Sequence, residues 1–390
     1  MPLPPSNGAP DDPRAARTRL WLVVAHLAAA VAVAVQHVTG KPSNNFAIFV
    51  ASARHLRDGL DLYRAWPAEH ADLFKYSPTV ALAFTPIAAL PAWAGLLAWH
   101  LLNAGVLVYA ICRVVPTRAA AWTLAIVLLE ALGALQNAQS NGLCAGLMLL
   151  AADAATRDRP LLGALAVAGG AHIKLFPAAA GLFGAVVRRR VVHVAAMAGM
   201  LVGLAVLPLV VTSPAQLHAQ YASWLTLLRT DAAAFGMWWV GGIVERLSGV
   251  AVPHAPIQLV GTLWVMVTAW RQRAAFTPHG DLATRMAVVG SLLVYTVLFN
   301  HRAEPPTFVI AFAGIGVWWS TQPRTRWRHA TVLLVLIVGS LGGTDLVPRA
   351  LRVAYHQETR LKAIVVLVAW LAMQRDVWRR QATSAAASSA

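Results

Sequence analysis

A lysine between two short apolar runs is the first feature of this chain that could bind a ligand. Lys174 follows the apolar run 160–172 and is the first residue of the run 174–187, and His172 lies two residues before it. Each run is shorter than a membrane-crossing helix requires, and broken helices at membrane depth usually line a cavity. Lys174 and His172 are therefore suited to contact a phosphate group. Snorkelling of a lone lysine towards water would explain the same position.

The second feature is a run of amides. Gln136, Asn137, Gln139 and Asn141 place four amide side chains within six residues. This is far more hydrogen-bonding capacity than a connecting turn needs, and it suits the hydroxyl groups of a sugar. A polar turn in which Ser140 or Asn141 begins the next helix is an equally good interpretation.

Two carboxylates could act as a general base. Asp72 lies three residues before Lys75, where a long loop returns to the predicted membrane surface, and a surface ion pair is the alternative interpretation. Glu304 lies in a tight turn between two apolar runs, where a charge is costly unless it is used or paired. His301 and Arg302 share that turn and are further candidates for binding phosphate. Anchoring of helix ends at the membrane interface is the alternative interpretation for all three residues of this turn.

Composition places these residues in a membrane protein. Hydrophobic residues make up 58% of the 390 residues and charged residues only 12%, with a mean hydropathy of +0.59. Too few charges remain to cover the surface of a water-soluble protein. The net charge of +16 comes from arginines in short clusters between apolar runs, which is typical of the positive-inside rule and not of a nucleic-acid-binding protein. Two cysteines without metal spacing predict neither a disulfide framework nor a zinc site, and no other metal site is predicted.

The apolar runs predict an all-α, polytopic integral membrane protein with about twelve transmembrane helices, within a range of 10 to 13. The runs lie near residues 20–38, 92–112, 118–135, 141–156, 160–172, 174–187, 191–211, 256–270, 281–299, 306–320, 328–343 and 361–374. With both termini in the cytoplasm, most arginine clusters fall in short cytoplasmic loops. The long loops 39–91 and 212–255, and with them the polar clusters, then lie on the extracytoplasmic face of the inner (plasma) membrane.

One transmembrane domain is predicted over residues 20–376, between disordered cytoplasmic tails at 1–19 and 377–390. Within the first long loop, residues 44–57 have apolar side chains at helical spacing and predict a helix lying on the membrane. Residues 78–91 begin and end with proline and predict a short re-entrant or interfacial helix.

The order of these motifs resembles glycosyltransferase family 87, the polyprenyl-phosphate-dependent mannosyltransferase-like group of the GT-C superfamily. The resemblance covers roughly residues 40–225. The residues that carry it are Asp58-Gly59-Leu60-Asp61-Leu62-Tyr63, Tyr76-Ser77-Pro78, Pro86 to Pro91, Trp99 with Asn103, Gln136 with Asn141, and Lys174 with Pro177.

The resemblance implies a GT-C-like fold and transfer of a hexose, most often mannose, from a polyprenyl-phosphate sugar to an extracytoplasmic glycan or lipid acceptor. It implies no cofactor, and its partners are the donor, the acceptor and membrane lipids. The residues assigned to phosphate and donor binding are Lys174, His172, Arg302, His301 and Lys75. Those assigned to the sugar or acceptor are Gln136, Asn137, Gln139, Asn141, Asn45 and Tyr76.

One departure from the family pattern bears on activity. Family members usually carry an aspartate at the start of the first extracytoplasmic helix, where it serves as the general base, and the matching residues here are Asn44 and Asn45. An amide cannot accept that proton. Either Asp72 or Glu304 replaces the missing base, or the protein is a transporter, a flippase or a non-catalytic binder of a lipid-linked sugar.

Overall fold

The apolar runs fold as α-helices. The computed structural model describes residues 12–40, 42–232, 238–357 and 360–389, and no β-strand occurs within these ranges. In chain order the α-helices are α1 (Pro13–Thr39), α2 (Asn44–Arg57), α3 (Pro78–Ala88), α4 (Ala92–Val114), α5 (Thr117–Gln136), α6 (Asn141–Thr156), α7 (Pro160–Ile173), α8 (Gly181–Ala185), α9 (Arg190–Val206), α10 (Pro214–Ala232), α11 (Val240–Ser248), α12 (His254–Arg271), α13 (Leu282–Leu298), α14 (Phe308–Thr321), α15 (Arg326–Leu334), α16 (Arg349–Leu351) and α17 (Leu361–Ser389). Short 3-10 turns span Phe176–Ala180, Leu207–Val210, Arg273–Ala275, Pro305–Thr307 and Leu341–Gly343, and π-helical turns span Val335–Ser340 and Arg352–Gln357.

Among the described residues, four helices are long and apolar enough to cross a membrane. They are α1, α4, α5 and the continuous segment Arg190–Val210, which contains α9. Val191, Val202 and Val210 on that last segment are 64–76% exposed, as is expected of side chains that face lipid. The all-helical fold is confirmed, whereas the number of twelve crossings is not.

The difference in number arises because many apolar runs fold as short helices. Helices of 10–17 residues are shorter than the roughly 20 residues of a straight crossing. The run 174–187 is the clearest example, since it folds as the 3-10 turn Phe176–Ala180 followed by α8, which has only five residues. The predicted interruption between 160–172 and 174–187 is therefore present, but the second run is too short to cross alone.

Helices α2 and α3 form where the sequence predicts them. The Ser43 hydroxyl accepts a hydrogen bond from the Phe46 N–H at 3.3 Å and caps the start of α2. The apolar face of α2 packs on protein, because the ring of Phe49 lies 5.0 Å, between centroids, from each of Phe84 of α3 and Trp99 of α4. Phe49 is only 1% exposed, so this face of α2 contacts neighbouring helices where we had predicted contact with the membrane surface.

Both predicted tails are partly helical. Asp12 caps α1 by accepting the Arg14 N–H at 3.0 Å, and Pro13 takes the first helical position, so α1 begins before residue 20. Helix α17 continues to Ser389, through an alanine-rich stretch with high helix propensity. Residues 13–19 and 377–389, which we assigned to the two tails, therefore lie within α1 and α17. The rest of the two tails, residues 1–11 and 390, lies outside the described residues.

Small residues let the central helices approach closely. A Cβ on Gly290 of α13 would lie 2.5 Å from the Gly314 carbonyl oxygen of α14, and a Cβ on Gly314 would lie 2.6 Å from the Gly290 carbonyl oxygen. Glycine at both positions permits backbone contact of the kind seen between membrane helices. This contact fixes α13, one wall of the cavity described below.

A buried ion pair ties α5 to α17. The Lys362 ammonium donates to Glu130 Oε2 at 2.6 Å, and the Ser340 hydroxyl donates to Glu130 Oε1 at 2.8 Å. The two charged side chains are 8% and 6% exposed, and the ammonium lies 5.1 Å from the centre of the Phe308 ring.

This pair predicts a large effect on stability. Lys362→Met leaves the Glu130 carboxylate buried without its counter-ion, which typically costs about 3–5 kcal/mol. We expect a lower Tm in detergent for Lys362→Met and recovery of most of the loss in the Glu130→Gln/Lys362→Met double variant. A double variant as unstable as the single one would contradict this role of the pair.

Candidate functional site

Ten of the thirteen predicted site residues line one cavity of about 770 Å³. They come from the start of α2, the loop before α3, the loop between α5 and α6, the chain after α7, and the turn before α14. These residues are Asn45, Asp72, Lys75, Tyr76, Asn137, Gln139, Lys174, His301, Arg302 and Glu304. The polar clusters that are far apart in sequence therefore meet at one site.

Lys174 is held in the wall of this cavity by two amides. Its ammonium donates to Gln139 Oε1 at 2.9 Å and to Asn141 Oδ1 at 2.8 Å. Gln139 Nε2 in turn donates to Glu304 Oε2 at 3.3 Å. Lysine, amide and carboxylate thus form one hydrogen-bonded row, which fixes the orientation of the ammonium.

The chain around Lys174 folds so that the side chain reaches the cavity. Helix α7 ends at Ile173, and Lys174 itself is extended, with φ −145° and ψ 144°. Pro177 packs against the last turn of α7, where a Cβ on Gly170 would lie 2.9 Å from the Cβ of Pro177. Burial lowers the pKa of the Lys174 ammonium below its ordinary value of 10.5, and nearby Glu304 partly opposes this shift.

The amide loop between α5 and α6 is held by hydrogen bonds between backbone groups near it and two side chains of α4. Ala138 has a positive φ of 46°, and its carbonyl oxygen accepts the Trp99 indole N–H at 2.9 Å. Asn103, one turn after Trp99, accepts the Leu143 N–H at 3.2 Å. Trp99 and Asn103 therefore hold the loop that presents Gln139 and Asn141 to Lys174.

Asp72 lies beside the start of α2. The Asn44 side chain accepts the Ala71 N–H at 2.7 Å, and the Asn45 side chain donates to the Asn137 carbonyl oxygen at 2.7 Å. Asn44 thus joins the loop carrying Asp72 to the first turn of α2. The Asp72 carboxylate is 59% exposed and lies 3.7 Å from the Lys75 ammonium.

The turn before α14 contributes three groups. His301 Nδ1 lies 3.0 Å from the Gln258 side-chain nitrogen, and the Arg302 N–H donates to Asn300 Oδ1 at 3.0 Å. The Glu304 N–H donates to the Thr307 hydroxyl at 3.4 Å at the start of the 3-10 turn. Within the described residues, no group of three or more His, Cys, Asp and Glu side chains is arranged to hold a metal ion.

Three predicted residues lie elsewhere. His172 Nε2 lies 3.1 Å from the Leu201 carbonyl oxygen and must donate to it, which leaves Nδ1 to accept from the Ser77 hydroxyl, also at 3.1 Å. His172 therefore joins α7 to α3 and α9 and does not line the cavity. Gln136 is exposed and does not line the cavity, and Asn141 is buried behind Lys174.

The same part of the chain matches a known family. Residues 74–300, more than half of the chain, match the model of glycosyltransferase family 87. The chain belongs to glycosyltransferase family 87. No match is found among curated proteins.

Membership of family 87 implies that the protein is a glycosyltransferase, an enzyme that takes a sugar from a donor and passes it to an acceptor. The matched segment includes Lys75, the amide loop and Lys174. It begins after Asn45 and Asp72 and ends at Asn300, so the turn carrying Arg302 and Glu304 lies just outside it.

The cavity of this family 87 protein also contains polar residues that we did not predict. Thr262 of α12 and Tyr295 of α13 line it, with their hydroxyl oxygens 2.6 Å apart, and Gln258 lies one turn before Thr262. Gln258 and Thr262 are isolated polar residues in the mostly apolar helix α12. Their spacing of four residues on α12 was the available signal, since positions 258 and 262 share one helix face.

Proposed function

We propose that this family 87 protein transfers a hexose, with mannose as the first candidate, from a polyprenyl-phosphate sugar to an extracytoplasmic lipid or glycan acceptor. The observation that carries the proposal is the position of Lys174. Its ammonium lies at a helix break, in the wall of a cavity that also contains the Asp72 carboxylate and several amides. A cation for the phosphate, amides for the sugar and a carboxylate for the proton are therefore within reach of one substrate.

The phosphate of the donor is assigned to the cationic wall. An ammonium has three N–H groups, and two of those on Lys174 are used by Gln139 and Asn141, so one remains for a phosphate oxygen. Arg302, Lys75 and His301 line the same cavity and add positive charge or hydrogen bonds. This arrangement stabilises the charge that develops on the leaving phosphate.

The apolar part of the cavity is assigned to the first isoprene units of the donor. Phe176, Ala179, Leu228 and Phe299 line it together with the polar groups. An apolar groove beside a cationic wall suits a lipid whose phosphate headgroup carries the sugar. Asn137, Gln139, Asn45 and Tyr76 line the polar part and are assigned to the hydroxyl groups of sugar and acceptor.

In the proposed reaction the acceptor hydroxyl oxygen attacks the anomeric carbon and forms the new glycosidic bond. The bond between that carbon and the phosphate oxygen breaks, and its electron pair leaves with the polyprenyl phosphate. The hydroxyl proton passes to a carboxylate. We assign this base to Asp72, because the Asn44 side chain holds its loop against the start of α2, where the family aspartate is missing. Glu304 is the alternative base.

The proposed topology places both termini in the cytoplasm, about twelve crossings in the inner membrane and the cavity on the extracytoplasmic face. Helix α6 supports it, since its first residue, Asn141, contacts Lys174 at the cavity, and its other end lies among Arg113 and Arg157. Arginines at the end opposite the cavity agree with the positive-inside rule.

A donor panel tests the proposed function. The purified protein, reconstituted with membrane lipid extract as a source of acceptors, is given polyprenyl-phosphate mannose, polyprenyl-phosphate glucose or a nucleotide-activated mannose, each labelled in the sugar. We expect label to pass to the acceptor only from a polyprenyl-phosphate donor. Transfer from the nucleotide sugar alone would contradict the assigned donor class.

The lowered pKa of Lys174 predicts the alkaline limit of activity. A lysine with a lowered pKa loses its charge at a lower pH than an ordinary lysine, so phosphate binding should weaken as the pH rises towards 10.5. We expect kcat/KM to fall on this alkaline side. Because arginine stays protonated there, the fall should move to higher pH in Lys174→Arg, and an unchanged alkaline limb would contradict the assignment.

A further inference from the structure

A second, smaller cleft lies at the opposite end of α6 from the cavity. It has a volume of about 160 Å³ and is lined by three arginines and one aspartate: Arg113, Arg157, Arg285 and Asp153. Asn141 and Asp153 are twelve residues apart on one helix, so the cleft lies about 18 Å along α6 from the contact with Lys174. It is therefore separate from the proposed active site.

The one carboxylate of the cleft is shared by two arginines. Asp153 Oδ1 accepts from Arg157 Nε at 2.6 Å, and Asp153 Oδ2 accepts from Arg113 Nε at 3.1 Å. Asp153 and Arg113 are 12% and 15% exposed, so both are mostly removed from solvent. Asp153 fixes the two guanidinium groups and neutralises only one of their charges.

Arg285 is oriented by backbone carbonyl groups. Its Nη1 donates to the carbonyl oxygens of Ala275 and Thr277, both at 3.0 Å. Asp281, one turn earlier on the chain, uses its Oδ2 to accept from the Thr284 N–H and hydroxyl. The described side chains that line the cleft, three arginines and one aspartate, carry a net charge of two positives, and the nearby Asp281 carboxylate offsets part of it at Arg285.

We propose that this cleft binds a phosphate group and that its source is the headgroup of an anionic phospholipid. Guanidinium groups bind phosphate through paired N–H donors. A guanidinium group is weakly hydrated, so it loses little when a phosphate replaces its water molecules. Basic clefts between membrane helices on the cytoplasmic side are suited to such headgroups. Val114, Ala152 and Met286 give the same cleft an apolar side, which fits the glycerol and upper acyl chain better than free phosphate.

The test uses the full chain, purified in neutral detergent and stripped of lipid. Phosphatidylglycerol, phosphatidylcholine or inorganic phosphate is added, and Tm and bound lipid by native mass spectrometry are measured. Arg285→Gln removes a cleft arginine. Arg273→Gln is the matched control, since Arg273 lies over the Trp270 ring on the same side of the protein and does not line the cleft.

We expect phosphatidylglycerol to raise the Tm of the wild-type protein and of Arg273→Gln by several degrees, and to bind Arg285→Gln about tenfold more weakly. Equal stabilisation of the wild-type protein by phosphatidylcholine and phosphatidylglycerol would overturn the proposal even if Arg285→Gln does not fold. Equal phosphatidylglycerol binding by the two variants would also overturn it. If inorganic phosphate raises the Tm in an Arg285-dependent way and phosphatidylglycerol does not, the assignment of the phosphate to a lipid headgroup is wrong.

Discussion

Replacing Lys174 by methionine is expected to lower kcat for hexose transfer about a hundred- to a thousandfold. The amide loop holds the ammonium in a fixed orientation, through Gln139 and Asn141. Removing a single fixed group that stabilises a developing negative charge typically has an effect of this size. The measurement is the steady-state rate of label transfer from polyprenyl-phosphate mannose, with donor binding determined in parallel.

The arginine variant is the matched control for this prediction. Lys174→Arg keeps the positive charge and is expected to retain more activity than Lys174→Met. The Tm of both variants shows whether the protein remains folded, because methionine leaves the Gln139 and Asn141 oxygens without their donor. A folded Lys174→Met protein with wild-type kcat would contradict the assignment of Lys174 to the leaving phosphate.

Replacing Asp72 by asparagine is the second large effect that we expect, a loss of about a thousandfold in kcat. General-base catalysis typically contributes about 10²–10⁴-fold, and an amide cannot accept the proton of the acceptor hydroxyl. Donor binding should change little, because the main phosphate contact is assigned to Lys174, whose ammonium is held by Gln139 and Asn141. Transfer to the acceptor is measured at saturating donor for Asp72→Asn and for Glu304→Gln.

Asp58→Asn is the control, since Asp58 lies at the end of α2, pairs with Arg57 and does not line the cavity. It should keep nearly full activity. The double variant Asn45→Asp/Asp72→Asn returns an aspartate to the family position, and Asn45 lines the same cavity. We expect its kcat to be at least tenfold higher than that of Asp72→Asn. Full activity in both Asp72→Asn and Glu304→Gln would contradict the assignment of a carboxylate base to either residue.

Much of the site was predictable from the sequence. Apolar runs predict the positions of most helices to within a few residues. The positive-inside rule predicts that Lys75, the segment 136–141 and Lys174 lie on one membrane face. That placement is why Asp72, Gln139, Lys174 and Glu304 could be expected to meet, and they do line one cavity. The predicted break before Lys174 likewise followed from run length alone.

The remaining features depend on tertiary packing. His172 and Lys174 are two residues apart, and such positions point to different sides of a helix end. We assigned both to the phosphate because they are close in sequence, but only Lys174 lines the cavity. Glu130 pairs with Lys362, 232 residues away, and no local pattern in the sequence indicates that pairing. Single polar residues such as Tyr295 gave no pattern to recognise. The number of crossings also depends on how short helices pack, which hydropathy does not record.

The most direct measurement follows a single donor through one reaction. Purified protein in lipid is given labelled polyprenyl-phosphate mannose and membrane lipid extract, and released polyprenyl phosphate and labelled acceptor are counted in the same samples. We predict equal amounts of the two products from the wild-type protein and almost none of either from Lys174→Met. Donor binding by the wild-type protein with neither product formed would contradict a transferase and indicate a binding or transport protein built on this family's fold.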